Sequence, residues 1–309
     1  MNRRRVRLSA GVAAAAASAL AAAAWLSSPT PSSLDGRVSR HLGSDGQSVP
    51  LDRVAPILRE AVVATEDERF YQHHGIDVIG VLRALPYDLA HLSLAQGAST
   101  ITEQLGKVLY LRGNDHSPWL KLEDAAVAVK LENRYDKEQI LGAYLNTIYF
   151  GEGATGIWEA SKRYFDLPPA KLDTAQATLL AGLIQAPSEY DPLQHPTLAR
   201  ERQVDVLRSL VREGFITQRE AATTLARPLK LRPGHTLAPI RGVDFAPGPA
   251  FIWWELAVGM AVVVLGAVIV IGMRLPRFRP VRGVAAIRLM SLMLVLFGIT
   301  TVARAFRSA

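Results

Sequence analysis

Residues 66–75, Glu-Asp-Glu-Arg-Phe-Tyr-Gln-His-His-Gly, set carboxylates and two imidazoles directly after an apolar stretch at 57–64. A carboxylate at the end of an apolar segment loses hydration when ionised, so its pKa rises toward the range in which it exchanges protons near neutrality. Glu66 is therefore the first candidate for a general acid or base. An acidic cluster on its own more often opens a solvated helix end, so the case rests on its company further along. Gly97, Ser99, Thr100, Thr102, Gln104 and Lys107 supply a glycine-started turn, hydroxyls, an amide and an ammonium. Such a set can hold a sugar or phosphate oxygen, or can simply start a helix with Ser99 or Thr100 as N-cap. Ser117-Pro118 predicts another helix start. On that helix Lys121 and Asp124 share a face, and Glu123, Val127 and Lys130 form the neighbouring one; a surface ion-pair helix is the bland alternative. Asn146 stands alone among apolar helical residues. If buried it must be hydrogen-bonded, which would tie two elements together.

The elements that carry these residues read as helices. Apolar residues recur at three- and four-residue spacing from Asp52 or Glu60 onward, over 120–134 and over 137–149. Residues 172–184 predict a buried Ala/Leu helix, and 196–214 an amphipathic basic one. No run alternates long enough to demand a strand. Turns are marked by Gly97, by 113–115, by Gly151 to Gly153, and by Pro168, Pro169, Pro187 and Pro192. Residues 227–250, rich in Pro and Gly, read as a linker. No internal repeat is present.

Of the 309 residues, 49% are hydrophobic, which suits one domain of ordinary size with membrane segments better than two small domains. The run at 256–273, preceded by Trp253 and Trp254, has the length and aromatic border of a spanning helix. The run at 289–303 is shorter and bounded by Arg288 and Arg304, which would have to snorkel. Near the start, Arg3, Arg4, Arg5 and Arg7 precede an alanine-rich stretch at 10–26, read as a signal peptide or an uncleaved anchor. Arginines at both the N-terminus and the loop between the C-terminal runs belong inside, which places residues 28–250 outside the cytoplasm. The absence of cysteine excludes disulfides, a thiol nucleophile and cysteine-zinc clusters. The net charge of +7 comes partly from membrane-flanking arginines, so it points to anionic headgroups or a pyrophosphate substrate rather than to nucleic acid.

Taken in order, these groups resemble the peptidoglycan glycosyltransferases of family 51, found as monofunctional transglycosylases and as the glycosyltransferase halves of class A penicillin-binding proteins. The resemblance spans 51–217. The family's first motif, Glu-Asp-x-x-Phe-x-x-His-x-Gly, is met by Glu66, Asp67, Phe70, His73 and Gly75. The second is met by Gly97, Ser99, Thr100, Ile101, Thr102, Gln104 and Lys107, the fourth by Ile140, Leu141, Tyr144, Leu145, Asn146, Tyr149, Phe150 and Gly151, and the fifth by Gly156, Ala160, Tyr164 and Phe165.

The resemblance implies a mainly α-helical, lysozyme-like fold with a membrane-associated jaw, to which hydropathy adds transmembrane helices. The implied organisation is a signal peptide or anchor at 1–27, a glycosyltransferase domain at 28–226, a linker at 227–250 and a transmembrane hairpin at 251–309. It further implies inverting polymerisation of lipid II into β-1,4-linked glycan, with release of undecaprenyl pyrophosphate, at the extracytoplasmic face of the bacterial inner membrane. Glu66 would be the general base and Asp124 the second carboxylate. Asp67, Phe70, His73, Gly75, Ser99, Thr100, Gln104, Lys107, Lys121, Glu123, Lys130 and Asn146 would serve the substrate, with Lys107, Lys121 and Lys130 neutralising the pyrophosphate. No cofactor is required by the residues, and a divalent cation, Mg or Mn, at the pyrophosphate stays open. The expected partners are lipid II, the nascent glycan strand, the membrane, and a membrane protein docked on the C-terminal hairpin; nucleic acid is not among them.

The third motif, Arg-Lys-x-x-Glu in the family, reads Leu120-Lys121-Leu122-Glu123-Asp124 here. Glu123 lies about 100° round the helix from Asp124, so only one can take the position; Asp124 is favoured and Glu123 kept as the alternative. Glu103 replaces a glutamine and Gly142 a glutamate, changes expected to disturb polar contacts near the donor site. These departures motivate a second reading, a weakened homologue that binds lipid II or a partner. A third, glycan hydrolysis by paired carboxylates, is disfavoured by the lysine set.

Overall fold

The computed structural model describes residues 3–44, 46–81, 99–111, 117–232 and 234–245. Gly97, the 113–115 turn, Trp253, Trp254 and both C-terminal apolar runs lie outside the described residues. The chain divides into two units, 1–243 and 244–309, and the fold below is that of the first.

Helices α1 (Arg3–Ser27) and α2 (Leu34–Leu42) precede a 3-10 turn at Leu51–Arg53 and α3 (Pro56–Glu66). Then come α4 (Ile101–Tyr110), α5 (Pro118–Glu132), α6 (Lys137–Thr147), α7 (Ile157–Phe165), α8 (Thr174–Leu183), α9 (Pro196–Arg212) and α10 (Gln218–Leu225). Their starts follow from local chemistry. Capping boxes pair Thr100 with Glu103, Asp136 with Gln139, Asp173 with Gln176 and Thr217 with Glu220, each side chain covering a backbone N–H that the first helical turn leaves unpaired. Ser117 caps α5 with Pro118 in its first turn, as the sequence predicts. α3 opens on Pro56 and stops where Asp67, with φ −158° and ψ 74°, leaves helical space.

These helices close on one apolar core. α3 packs on α8 and α9, and α4 packs on α5 and α6. Leu58 and Val62 of α3, Leu105 of α4, Leu131 of α5, Tyr144 of α6, Leu180 of α8 and Val206 of α9 are fully buried in it. Each such side chain contributes about 1.5–3 kcal/mol. The consequence for the site is geometric: Glu66, the last residue of α3, is held where α4 and α9 converge.

The reading of 227–250 as a linker needs correction at its start. An antiparallel pair, β1 (Leu229–Lys230) and β2 (Thr236–Leu237), buries Leu229, Leu231 and Leu237 in the core. Strands this short carry too little alternation to be seen in sequence. The alanine-rich α1 is helical, but among the described residues no helix is long and apolar enough to cross a membrane.

Candidate active site

Glu66 ends the turn that carries the buried Val62, Val63 and Ala64. Its Oε2 accepts a hydrogen bond from Gln104 Nε2 at 3.0 Å, and Gln104 Oε1 in turn accepts one from the buried Tyr144 hydroxyl at 2.8 Å. Arg202 of α9 reaches the other oxygen, with Nη2 3.9 Å from Glu66 Oε1. Burial pushes the Glu66 carboxyl above its ordinary value; the Gln104 hydrogen bond and the Arg202 charge oppose that, and Asp67 adds to it.

A second cluster lies where α5 packs on α4. Asp124 is buried, and its Oδ1 has no hydrogen-bond partner. Burial raises its pKa, the Lys121 and Lys107 charges lower it, and Glu123 raises it. Lys121 Nζ donates to Ser99 Oγ at 2.6 Å. Gln104 and Lys107 are one turn apart on α4, so this helix presents its amide to Glu66 and its ammonium to Asp124. Glu123 points elsewhere: its Oε1 accepts from Ser27 Oγ at 2.7 Å, at the end of α1. Of the two acidic candidates, only Asp124 keeps company with the lysines.

Several residues expected to serve the substrate also tie the fold together. Asp67 accepts from Ile101 N at 3.0 Å and from His73 Nε2 at 3.0 Å, clamping the start of α4 to the motif loop. Phe70 is fully buried, with the Lys137 ammonium 4.4 Å from its ring centre. Gly75 sits at φ +84°, and a Cβ there would come within 2.7 Å of Val129 N, so this close approach of the loop to α5 requires glycine. Its carbonyl accepts from Thr100 Oγ1 at 2.7 Å. Asn146 donates to Val49 O at 2.9 Å and accepts from Val49 N at 2.8 Å, the tie between elements that a buried Asn demanded.

Lys130 is tied to the end of α1. Its Nζ donates to Trp25 O at 2.7 Å, Ser28 O at 2.8 Å and Ser28 Oγ at 2.9 Å. The carbonyls at a helix end lack internal partners and carry partial negative charge, so they draw the ammonium. Glu103 closes the capping box of α4, accepting from Thr100 N at 2.8 Å. Gly142 opens on a cavity of about 510 Å³ shared with Val49, Leu51 and Asn146. It lies two residues from Tyr144, hence roughly 200° round α6 and away from Gln104.

Sequence reasoning missed Arg202, Glu132 and Lys137. Glu132 accepts from Thr102 Oγ1 at 2.6 Å and from Lys137 Nζ at 2.7 Å, and its Oε1 lies 3.9 Å from His73 Nδ1. Only the tertiary fold brings these groups together; their spacing in the chain carries no motif. Among the described residues no group of three His, Asp or Glu side chains could hold a metal ion by itself.

The family model described as Transglycosylase matches residues 35–211. A Cupriavidus necator protein named as a transglycosylase is 42% identical over 186 residues, which is 60% of this chain and 79% of that protein. Penicillin-binding protein 2D of Bacillus subtilis is 41% identical over 185 residues, 60% of this chain and 27% of that protein. Penicillin-binding protein 1A of Neisseria flavescens is 38% identical over 198 residues, 64% and 25% of the two chains. The chain thus spans about a quarter of the penicillin-binding proteins it matches and most of the Cupriavidus protein. With its two polar clusters on α4 and its match over 35–211, the chain belongs to the transglycosylase family, the peptidoglycan glycosyltransferases of family 51.

Proposed function

We propose that this chain polymerises lipid II, with Glu66 as general base. The observation that carries the reading is the pairing of a buried, Gln104-held carboxylate with the Asp124, Lys121 and Lys107 cluster, joined by α4, which bears Gln104 and Lys107 one turn apart. Glu66 takes the proton from the acceptor's C4 hydroxyl while that oxygen attacks the donor's anomeric carbon. The bond from C1 to the pyrophosphate breaks with inversion, and undecaprenyl pyrophosphate leaves with the bonding electron pair. Lys107 and Lys121 neutralise the charge growing on that leaving group, where fixed cations lower the barrier most. Ser99, bonded to Lys121, orients the ammonium. The Asp124 charge attracts both lysines and keeps them at the donor side.

A lipid-linked donor fits a membrane-held enzyme. The apolar runs at 10–26, 256–273 and 289–303 support attachment to the inner membrane with the catalytic unit outside the cytoplasm. The Trp-bordered hairpin is also where a membrane-protein partner would dock.

The test is full-length protein in detergent with labelled lipid II, followed on a gel beside Glu66→Gln and with the glycosyltransferase inhibitor moenomycin. Polymer that disappears in both controls is expected. The loss of the third motif's arginine at Leu120 and the shorter Asp124 favour one other reading, a weakened homologue. Lipid II retained by the wild type with no polymer formed would establish it.

A further inference from the structure

Taking Glu66 as the base, we propose that Arg202 is its positioning residue, a guanidinium on α9 that orients the carboxylate and keeps it ionised for proton abstraction. The side chains of Arg202 and Glu66 are only 15% and 11% exposed, so water and salt screen the 3.9 Å approach poorly. Gln104 occupies Oε2, which leaves Oε1 as the oxygen that faces both Arg202 and an incoming hydroxyl. At 3.9 Å the guanidinium is too distant for a direct hydrogen bond, so it acts through its field and does not block that oxygen.

Arg202 is itself held. Its Nε donates to Gly182 O at 3.4 Å, and its guanidinium carbon lies 5.8 Å from the Tyr190 ring centre. A Cβ at Gly182 would approach Arg202 Cγ to 3.1 Å, so the bare glycine backbone of α8 makes the lane along which the side chain runs. Among the described residues, the groups facing Glu66 from the packed elements are Gln104 of α4, Tyr144 of α6, Arg202 of α9 and the adjacent Asp67. Arg202 is the cation among them. Without it, burial and Asp67 act against ionisation with only the Gln104 hydrogen bond in opposition, and a protonated carboxyl cannot accept the hydroxyl proton.

An opposite charge within about 4–6 Å lowers a carboxylate's pKa by about one unit or more. Arg202→Gln and Arg202→Lys are to be compared with the wild type in the full chain. The acid limb of kcat/KM for lipid II should move up by about one pH unit in Arg202→Gln and return toward wild type in Arg202→Lys. A second readout needs no turnover: carboxyl-carbon NMR titration of glutamate-labelled protein, with the Glu66 signal assigned by its loss in Glu66→Gln. That midpoint should rise by a similar amount. A Glu66 midpoint unmoved in Arg202→Gln overturns the inference whether or not polymer forms; a raised KM with an unmoved midpoint makes Arg202 a substrate contact instead. Absence of polymer in the wild type with the midpoint shift present leaves Arg202 coupled to Glu66 and defeats only the assignment of turnover.

Discussion

Glu66 and Asp124 both stand above the usual carboxylate range because burial penalises their charged forms. A group whose pKa is higher folded than unfolded stabilises the fold while protonated, and that contribution is lost as pH rises through the folded value. Near neutrality each carboxylate therefore costs stability that function requires. Glu66→Gln and Asp124→Asn should each raise the melting temperature at pH 7, by about 2–4 °C per kcal/mol relieved, while activity falls. The gain should shrink to nothing below about pH 4, where the wild-type groups are protonated in both states. Thermal melts from about pH 3 to 8 check this, and a destabilised pair of variants at pH 7 would refute it. Glu66 was legible in sequence because a carboxylate abutting an apolar run is a local signal, and Asp124 because it shares a helix face with Lys121 in the third motif's register. Arg202 was not: it lies 136 positions from Glu66 on a helix whose basic pattern reads as a solvated face.

Among the helices, the N-terminal signals were the most readable. Ser117-Pro118 begins α5 as expected, since a cap needs only neighbours in the chain. The segment before α3 was less so, being held by tertiary contacts. Asn146 shows how: its amide bridges the backbone of Val49 in both directions and also donates to Gly142 O at 2.8 Å, fastening residues 46–50 to α6. Asn146→Ala strands the buried Val49 N–H and C=O. It should cost about 2–6 kcal/mol, one to three for each of the two groups left unpaired. Chemical denaturation reads that loss as a lower midpoint at constant slope. Polymerisation by the folded fraction should stay within about twofold of wild type, because the tie lies on the face of α6 opposite Tyr144. A large fall in specific activity at unchanged stability would instead make Asn146 part of the substrate site. The hairpin at 229–237 was invisible in sequence for the opposite reason: its few residues are strands only because the core accepts Leu229 and Leu237.

Across the whole unit, the remaining question is how the catalytic helices are held relative to α1, the helix that leads toward the membrane in the proposed orientation. α1 packs on α5, the helix that bears Lys121 and Asp124. Their junction is polar: Lys130 gathers Trp25 O, Ser28 O and Ser28 Oγ, its ammonium lies 5.0 Å from the Trp25 ring centre, and Glu123 receives the Ser27 hydroxyl. Cations at a helix C-terminus and over an indole face are each favourable by about 0.5–1 kcal/mol at exposed sites. Lys130→Met keeps the length of the side chain and removes both attractions. Protease cleavage between α1 and α2, at 28–33, should then accelerate by roughly tenfold for about 1.4 kcal/mol of lost docking, since cutting follows the population of the undocked state. The melting temperature should fall by only about 2–4 °C per kcal/mol, because the core of α3, α4, α6, α8 and α9 does not depend on Lys130. If Lys130 instead met the pyrophosphate, the cleavage rate would stay at the wild-type value and the KM for lipid II would rise. The two outcomes separate a lysine that docks α1 from one that serves the substrate.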